Sequence, residues 1–326
     1  MKSRMEPSRN SSGAKSRPAI LVALAVLAVL ALVPLLPAAT GDTVADQVLG
    51  QPDFVHESAN TVDGASMSAP DFVAVDITAS PNHLYLADTN NNRVLGWNNA
   101  ASFTNGAAAD LVVGQPDFFS SRINVTNGQP GANTLWSPTG VAVDSNGNLY
   151  VADSGNNRVL EYAAPFSACK SVFPCVNQGA STVFGQLGDF AGSGCNFQGF
   201  TLTPDADSLC GPSGVALDSH DNLYIADFSN NRVLEYITPL TASATAGSGD
   251  MTADLVFGQG ASGTAFTVNA SNNGGISGTS LSGPRGVAVD GSDNVYISDT
   301  GNNRVLEFDE TTNPPANVTS LLVIWS

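Results

Sequence analysis

GVAVDSNGNLYVADSGNNRVLEY, running from Gly140 to Tyr162, is the stretch that decides the fold. Its apolar runs, Gly140–Asp144, Leu149–Asp153 and Arg158–Tyr162, are divided by polar turns at Ser145–Asn148 and Ser154–Asn157. Asn-Gly and Asp-Asn chemistry at such turns favours tight hairpins. The runs are apolar at most positions instead of alternating strictly, which predicts strands covered on both faces.

The phrase recurs as GVALDSHDNLYIADFSNNRVLEY from Gly214 and GVAVDGSDNVYISDTGNNRVLEF from Gly286. A looser copy, FVAVDITASPNHLYLADTNNNRVLGW, starts at Phe72, with a longer turn and Gly96 where the others have Glu. The arginines of Asn-Asn-Arg-Val-Leu fall 65, 74 and 72 residues apart. Between copies lies a second element, Val48-Leu-Gly-Gln, Val112-Val-Gly-Gln, Val183-Phe-Gly-Gln and Val256-Phe-Gly-Gln, which supplies a fourth strand. Units of this length cannot bury their own apolar faces and must stack on their neighbours. Radial stacking of small sheets is a propeller. The expected fold is all-β, a β-propeller with four four-stranded blades and repeat cores at 72–97, 140–162, 214–236 and 286–308.

The strand count leaves ring closure open. Thr319–Trp325 aligns with Ala109–Gly114, so five candidate outer strands accompany four inner triplets. Pairing of Asp46–Gly50 with the last blade would close a four-bladed ring. The other expectation is an incomplete ring from a longer propeller. Such an arc would expose a sheet edge and apolar faces, and favour self-association.

Over residues 45–326 the pattern resembles the NHL repeat, in which the Gly-Val-Ala-Val-Asp strand lies innermost. Exported bacterial proteins carrying a Leu-Val-x-Gly-Gln-Pro-Asp-Phe element look similar. The resemblance implies architecture sharply and function weakly. It also implies one enzymatic possibility, since peptidyl-amidating lyases and lactonases that resemble NHL proteins hold Zn²⁺ or Ca²⁺ on axial His, Asp, Asn or Glu. This chain has three histidines, His56, His83 and His220. By strand direction only His56 shares the end that carries the Asp-x-x-Asn-Asn-Arg turns and the loops after Gly-Gln. One histidine makes neither a metal site nor a general-base constellation.

Residues 1–41 read as a signal peptide or an N-terminal membrane anchor, leaving 42–326 as the propeller. A basic, Ser-rich stretch precedes the apolar run Ala19–Val33, which fits a signal core, while counting through Ala39 gives just enough length to span. Beyond residue 39 the body holds seven basic and 28 acidic residues, a balance of −21. Such acidity repels nucleic acid and anionic lipid, so the membrane is expected as a partner only through the N-terminal segment. Cys169, Cys175, Cys195 and Cys210 allow three pairings, of which Cys169–Cys175 with Cys195–Cys210 closes the shortest loops. Free thiols or zinc are the other readings, but the gaps of five and fourteen residues do not match thiolate metal spacing. Disulfides would suit an extracytoplasmic compartment, with the protein secreted or anchored.

The repeated polar residues are expected to serve the blades. Asp88, Asp153, Asp227 and Asp299 flank the same hairpin as Arg93, Arg158, Arg232 and Arg304, where carboxylate and guanidinium pair or bond turn amides. Repetition in every blade points to structure, whereas catalysis breaks symmetry. The turns Asp144-x-Asn146-x-Asn148 and Asp290-x-Ser292-x-Asn294 faintly suggest calcium loops, but lack the bidentate Glu. No cofactor is expected, Ca²⁺ being the one considered. No nucleophile elbow, Walker loop or dinucleotide fingerprint is present. Recognition is expected in the loops 52–70, 116–138, 187–212 and 260–284, which differ between blades. Phe118, Phe119, Trp136 and His56 are the binding candidates there, and Phe190, Phe197 and Phe200 are further aromatics. The expected function is a non-enzymatic binding or scaffold module for protein or glycan. The alternative is a metal-dependent lyase or lactonase with an axial site.

Overall fold

The computed structural model describes residues 44–57, 61–125, 128–169, 175–176, 178–196, 203–240, 251–309 and 322–324. The expected signal or anchor, Phe197 and Phe200 lie outside them. No described helix is long and apolar enough to cross a membrane.

Residues 47–326 build four sheets. The first blade comprises β1 (Pro70–Asp76), β2 (His83–Asp88), β3 (Arg93–Trp97) and β4 (Leu111–Val113). The second has β5 (Pro138–Val143), β6 (Leu149–Asp153) and β7 (Arg158–Tyr162). A single helical turn α1 (Pro165–Ala168) and the short β8 (Cys175–Val176) precede its outer strand β9 (Thr182–Phe184). Blade three is β10 (Pro212–Leu217), β11 (Leu223–Asp227), β12 (Arg232–Tyr236) and β13 (Leu255–Phe257). Blade four is β14 (Pro284–Val289), β15 (Val295–Asp299), β16 (Arg304–Phe308) and β17 (Leu322–Ile324). Strands within each blade are antiparallel, and β8 adds to the first sheet as a parallel fifth strand against β4. The connection between β7 and β9 within blade two therefore stitches it to blade one.

Both expected disulfides form, Cys169–Cys175 and Cys195–Cys210. No cysteine is free, which suits an oxidising compartment.

The core is divided between blades. Tyr150, Ala152, Val159 and Phe184 of blade two pack on Val215, Leu223, Ile225, Leu234 and Tyr236 of blade three. Equivalent clusters join blades one and two and blades three and four. Each fully buried Leu, Val or Phe here contributes roughly 1.5–3 kcal/mol over exposure. This explains the nearly unbroken apolar runs, since both faces of an inner blade meet a neighbour.

One element of the closure reading is corrected. Asp46–Gly50 forms no strand; the Val48 amide donates to Asn105 Oδ1 and its carbonyl accepts from Gly106, both at the rim of blade one. The outer strand of blade four is its own β17. Inner strands touch in the order β1, β5, β10, β14, with no comparable contact returning from β14 to β1. The blades form an open arc, and Val73 and Val75 on β1 are 61% and 48% exposed. The outer face of blade one, Leu86, Leu95, Trp97 and Val112, is covered by Leu49, Met67 and Phe103.

Gly-Gln explains how a blade hands over to the next. Gly114, Gly185 and Gly258 adopt φ of +87°, +91° and +92°. A Cβ on each would lie 2.5 Å from Leu135, Leu209 or Leu281, the leucine three residues before the next inner strand's proline. Both the backbone and the space require glycine.

Candidate functional site

The loop end is organised by the repeated Asp and Arg. Arg93, Arg158 and Arg232 are wholly buried, and each Nε donates to its hairpin aspartate at 2.7–2.8 Å. The rest of the guanidinium reaches loop backbone. Arg158 Nη1 donates to the Phe190 carbonyl in the following loop, and Nη2 donates to Gly131 and Thr134 carbonyls in the preceding one. Arg93 and Arg232 bond equivalent carbonyls on both sides, and Arg304 bonds those of Ser277 and Ser280. Asp153 accepts additionally from Asn156 Nδ2 and the Trp136 amide. The structural reading of these eight residues therefore extends further than one hairpin, because the first three pairs each pin two variable loops and the Asp299–Arg304 pair holds the loop before it.

Sequence reasoning missed the partners in the loops. Asn124, Asn196 and Asn272 pair amide to amide, reciprocally, with Asn156 and Asn302 and, for Asn196, with Asn230. Each adopts positive φ, which asparagine tolerates. Gln115, Gln186 and Gln259 donate through Nε2 into loop carbonyls, and their buried Oε1 atoms have no hydrogen-bond partner among the described residues.

The binding candidates separate on burial. Phe118 is only 8% exposed, packs in the core of blade one and holds the Arg93 contact through its carbonyl, so it is withdrawn as a contact residue. Phe119 is 75% exposed and Trp136 is 40% exposed, with the indole lying over Gly155 of the next hairpin. His56 is exposed and pairs with Asp53, and this hydrogen bond holds the Asp53 carboxyl below its usual range. Phe54, Val55, Ile123, Leu187 and Ile276 are also exposed, all on loops that follow Gly-Gln. Phe190 is half-buried against the core.

The opposite end carries the turns between first and second strands. Asp144 Oδ1 accepts from the Asn146 and Asn148 amides, and its Oδ2 accepts from Asn148 Nδ2. Asp218 and Asp290 repeat the pattern with Asn222 and Asn294. The faint calcium-loop pattern is thus turn capping, with the carboxylate oxygens facing amide hydrogens. Burial pushes Asp144 up, whereas the bond from Asn294 holds exposed Asp290 down. Asp218, His220 and Asp293 bring ligand atoms within 4.8 Å of one another, but on an exposed surface where Ser219 already donates to Asp293. Beside the inner strands a hollow of about 270 Å³ is lined by Val75, Val143 and Leu217 with Asp76, Asp144 and Asp221. It holds no histidine, and Asp221 accepts from Ser145. These residues do not fit an axial Zn²⁺ site of the kind the family resemblance implies.

In the first blade the same turn differs. His83 stands where blades two to four place Asn148, Asn222 and Asn294, and its Nδ1 lies 3.0 Å from Asp76 Oδ2. Asp76 is 3% exposed, and its Oδ1 accepts from the Thr78 amide and hydroxyl.

Residues 135–162, 209–236 and 281–308 match the family model of the NHL repeat. No curated protein sequence matches the chain. Among solved structures, a streptogramin B lyase is similar at 11% identity and a TM-score of 0.42, covering 80% of this chain and 55% of its own. A virginiamycin B lyase from Staphylococcus aureus is similar at 11% and 0.39, covering 77% and 54%. A protein from Lactobacillus plantarum is similar at 13% and 0.44, covering 80% and 57%. The chain thus spans little more than half the length of these proteins, and at these scores the likeness says nothing about chemistry. The three matched segments are the last three copies of the repeated phrase, each spanning the Asn-Asn-Arg hairpin of its blade, so blades two to four of this propeller-like fold carry NHL repeats.

Proposed function

We propose that the protein is an extracytoplasmic binding module that recognises a protein or glycan through its loop end. The observation that carries this reading is the exposure of Phe54, Val55, Phe119, Ile123, Trp136, Leu187 and Ile276 on loops whose backbones are pinned by buried arginines. Rigid exposed aromatics lose little conformational freedom on binding, and both protein anchors and sugar faces use them. The disulfides support an oxidising location.

Glycan-array and protein-array binding of the full chain, compared with a Phe119→Ser/Trp136→Ala variant, tests the proposal. Binding that falls at least about tenfold in the variant, with unchanged unfolding, supports it. Unchanged binding in the variant, or metal-dependent turnover of a lactone or peptidylglycine analogue, would sink it.

A further inference from the structure

Blades two to four share an asparagine-bonded turn aspartate, blades three and four add a tyrosine–glutamate bond, and blade one departs from both. In blade three, Tyr224 donates to Glu235 at 3.2 Å, and in blade four Tyr296 donates to Glu307 at 2.9 Å. In those blades the turn aspartate is bonded by an asparagine. Blade one has Gly96 in place of the glutamate and His83 in place of the asparagine. The space beside Gly96 is taken by the Phe166 ring, 3.0 Å from where a Cβ would sit. The same ring packs on His83 with centroids 4.4 Å apart and on Tyr85 at 5.4 Å.

The result is a cavity of about 220 Å³ between blades one and two. Its lining includes Asp76, His83, Tyr85, Asn146, Phe166 and Ser167. Asp76 Oδ2 lies 3.0 Å from Nδ1, and in the tautomer that places the proton on Nδ1 the other nitrogen, Nε2, is an acceptor. Tyr85 lacks the glutamate acceptor that Tyr224 and Tyr296 use. Burial, and secondarily Asp76, push its phenol above the usual tyrosine range, so it stays a protonated donor. No lysine or arginine lines the cavity, and Asp76 makes it electronegative, which disfavours phosphates and carboxylates. Oδ1 of Asp76 accepts two hydrogen bonds and Oδ2 faces His83, and with no second carboxylate in the lining the cavity offers a cation few ligands. The volume is below the roughly 300 Å³ at which pockets for drug-sized ligands begin.

We infer that this cavity is a binding site for a small neutral polyhydroxylated ligand, of monosaccharide size, with one hydroxyl donating to His83 Nε2, another accepting from Tyr85, and a C–H face resting on Phe166. The site is separate from the loop end and stands whether or not that end binds anything. The imidazole is particular to blade one, and the Phe166 ring that fills the space beside Gly96 lines the same cavity as His83.

The test is saturation-transfer NMR on the full chain with D-glucose, D-galactose, D-mannose, N-acetyl-D-glucosamine and inorganic phosphate as separate probes, while the ¹⁵N signals of His83 are followed. One of the sugars should receive saturation and shift Nε2 more than Nδ1. His83→Asn restores the residue of the other blades and should fold, and it should weaken the sugar roughly tenfold, as should Tyr85→Phe. The inference is overturned by no sugar shifting Nε2 at tens of millimolar, by phosphate alone doing so, or by both variants binding unchanged. Sugar binding that is lost in Trp136→Ala but kept in His83→Asn would belong to the loop end, and would overturn it equally.

Discussion

Removing the hydroxyls of Tyr162 and Tyr236 should stabilise the protein. Both phenols are completely buried, and neither oxygen has a hydrogen-bond partner among the described residues. The two side chains lie in different inter-blade cores, and at the matching position blade four already has Phe308. Burial pushes both phenols far above their ordinary range, as expected of groups cut off from water and donors. Leaving a hydroxyl unsatisfied in an apolar interior costs roughly 1–3 kcal/mol. Replacing it by hydrogen leaves a void the size of an oxygen atom, which returns a few tenths of a kcal/mol at about 24 cal/mol per Å³. Each Tyr→Phe change should therefore gain about 1 kcal/mol, and the double variant about 2, because separate cores add. Urea unfolding of the full chain is the assay, read as a higher midpoint at unchanged slope. Loss of more than about 1 kcal/mol in either single variant would refute the argument, since it would mean that the oxygen is bonded.

Arg158→Met should cost about 3–5 kcal/mol, because it strands the buried Asp153 and releases three loop carbonyls. Hydrogen exchange should accelerate first in loops 116–138 and 187–196, and uniform acceleration would contradict the pinning role. Gly185→Ala should destabilise by at least about 1–3 kcal/mol, since it combines strain at φ +91° with overlap on Leu209; a neutral thermal shift would show that the turn can relax. Glu161→Gln should stabilise at pH 7. Burial raises the folded Glu161 above its ordinary 4.5, so its favourable share of stability is complete below that pH and is lost as the pH rises through the folded value. The gain from glutamine should accordingly vanish as unfolding is measured toward pH 4, and a constant gain would refute the assignment.

The strands, turns and disulfides were legible because their determinants are local. Asp153, Asn156 and Arg158 bond within five residues of one another, so one phrase contains the whole device. Asn124 was not legible, because its partner Asn156 lies 32 residues away in a loop of unequal length in each blade. By strand direction His83 falls at the end opposite the variable loops. The longer first turn hid that it occupies the asparagine position, and only the register pairing it with Asp76 shows this. Phe118 and Phe119 are indistinguishable as sequence, yet the chain direction puts one in the core and its neighbour in solvent.

The buried arginines hold the loops by their carbonyl oxygens, at Phe118, Phe190 and Phe266 on one side and at paired carbonyls on the other. A carbonyl is supplied by every residue type, so the anchor is indifferent to which side chain it carries. Mutation along these loops can therefore change surface chemistry while the chain's path is kept. Diversification and foldability are decoupled at that end, and a library built there should retain its melting temperature far better than one built in the strands.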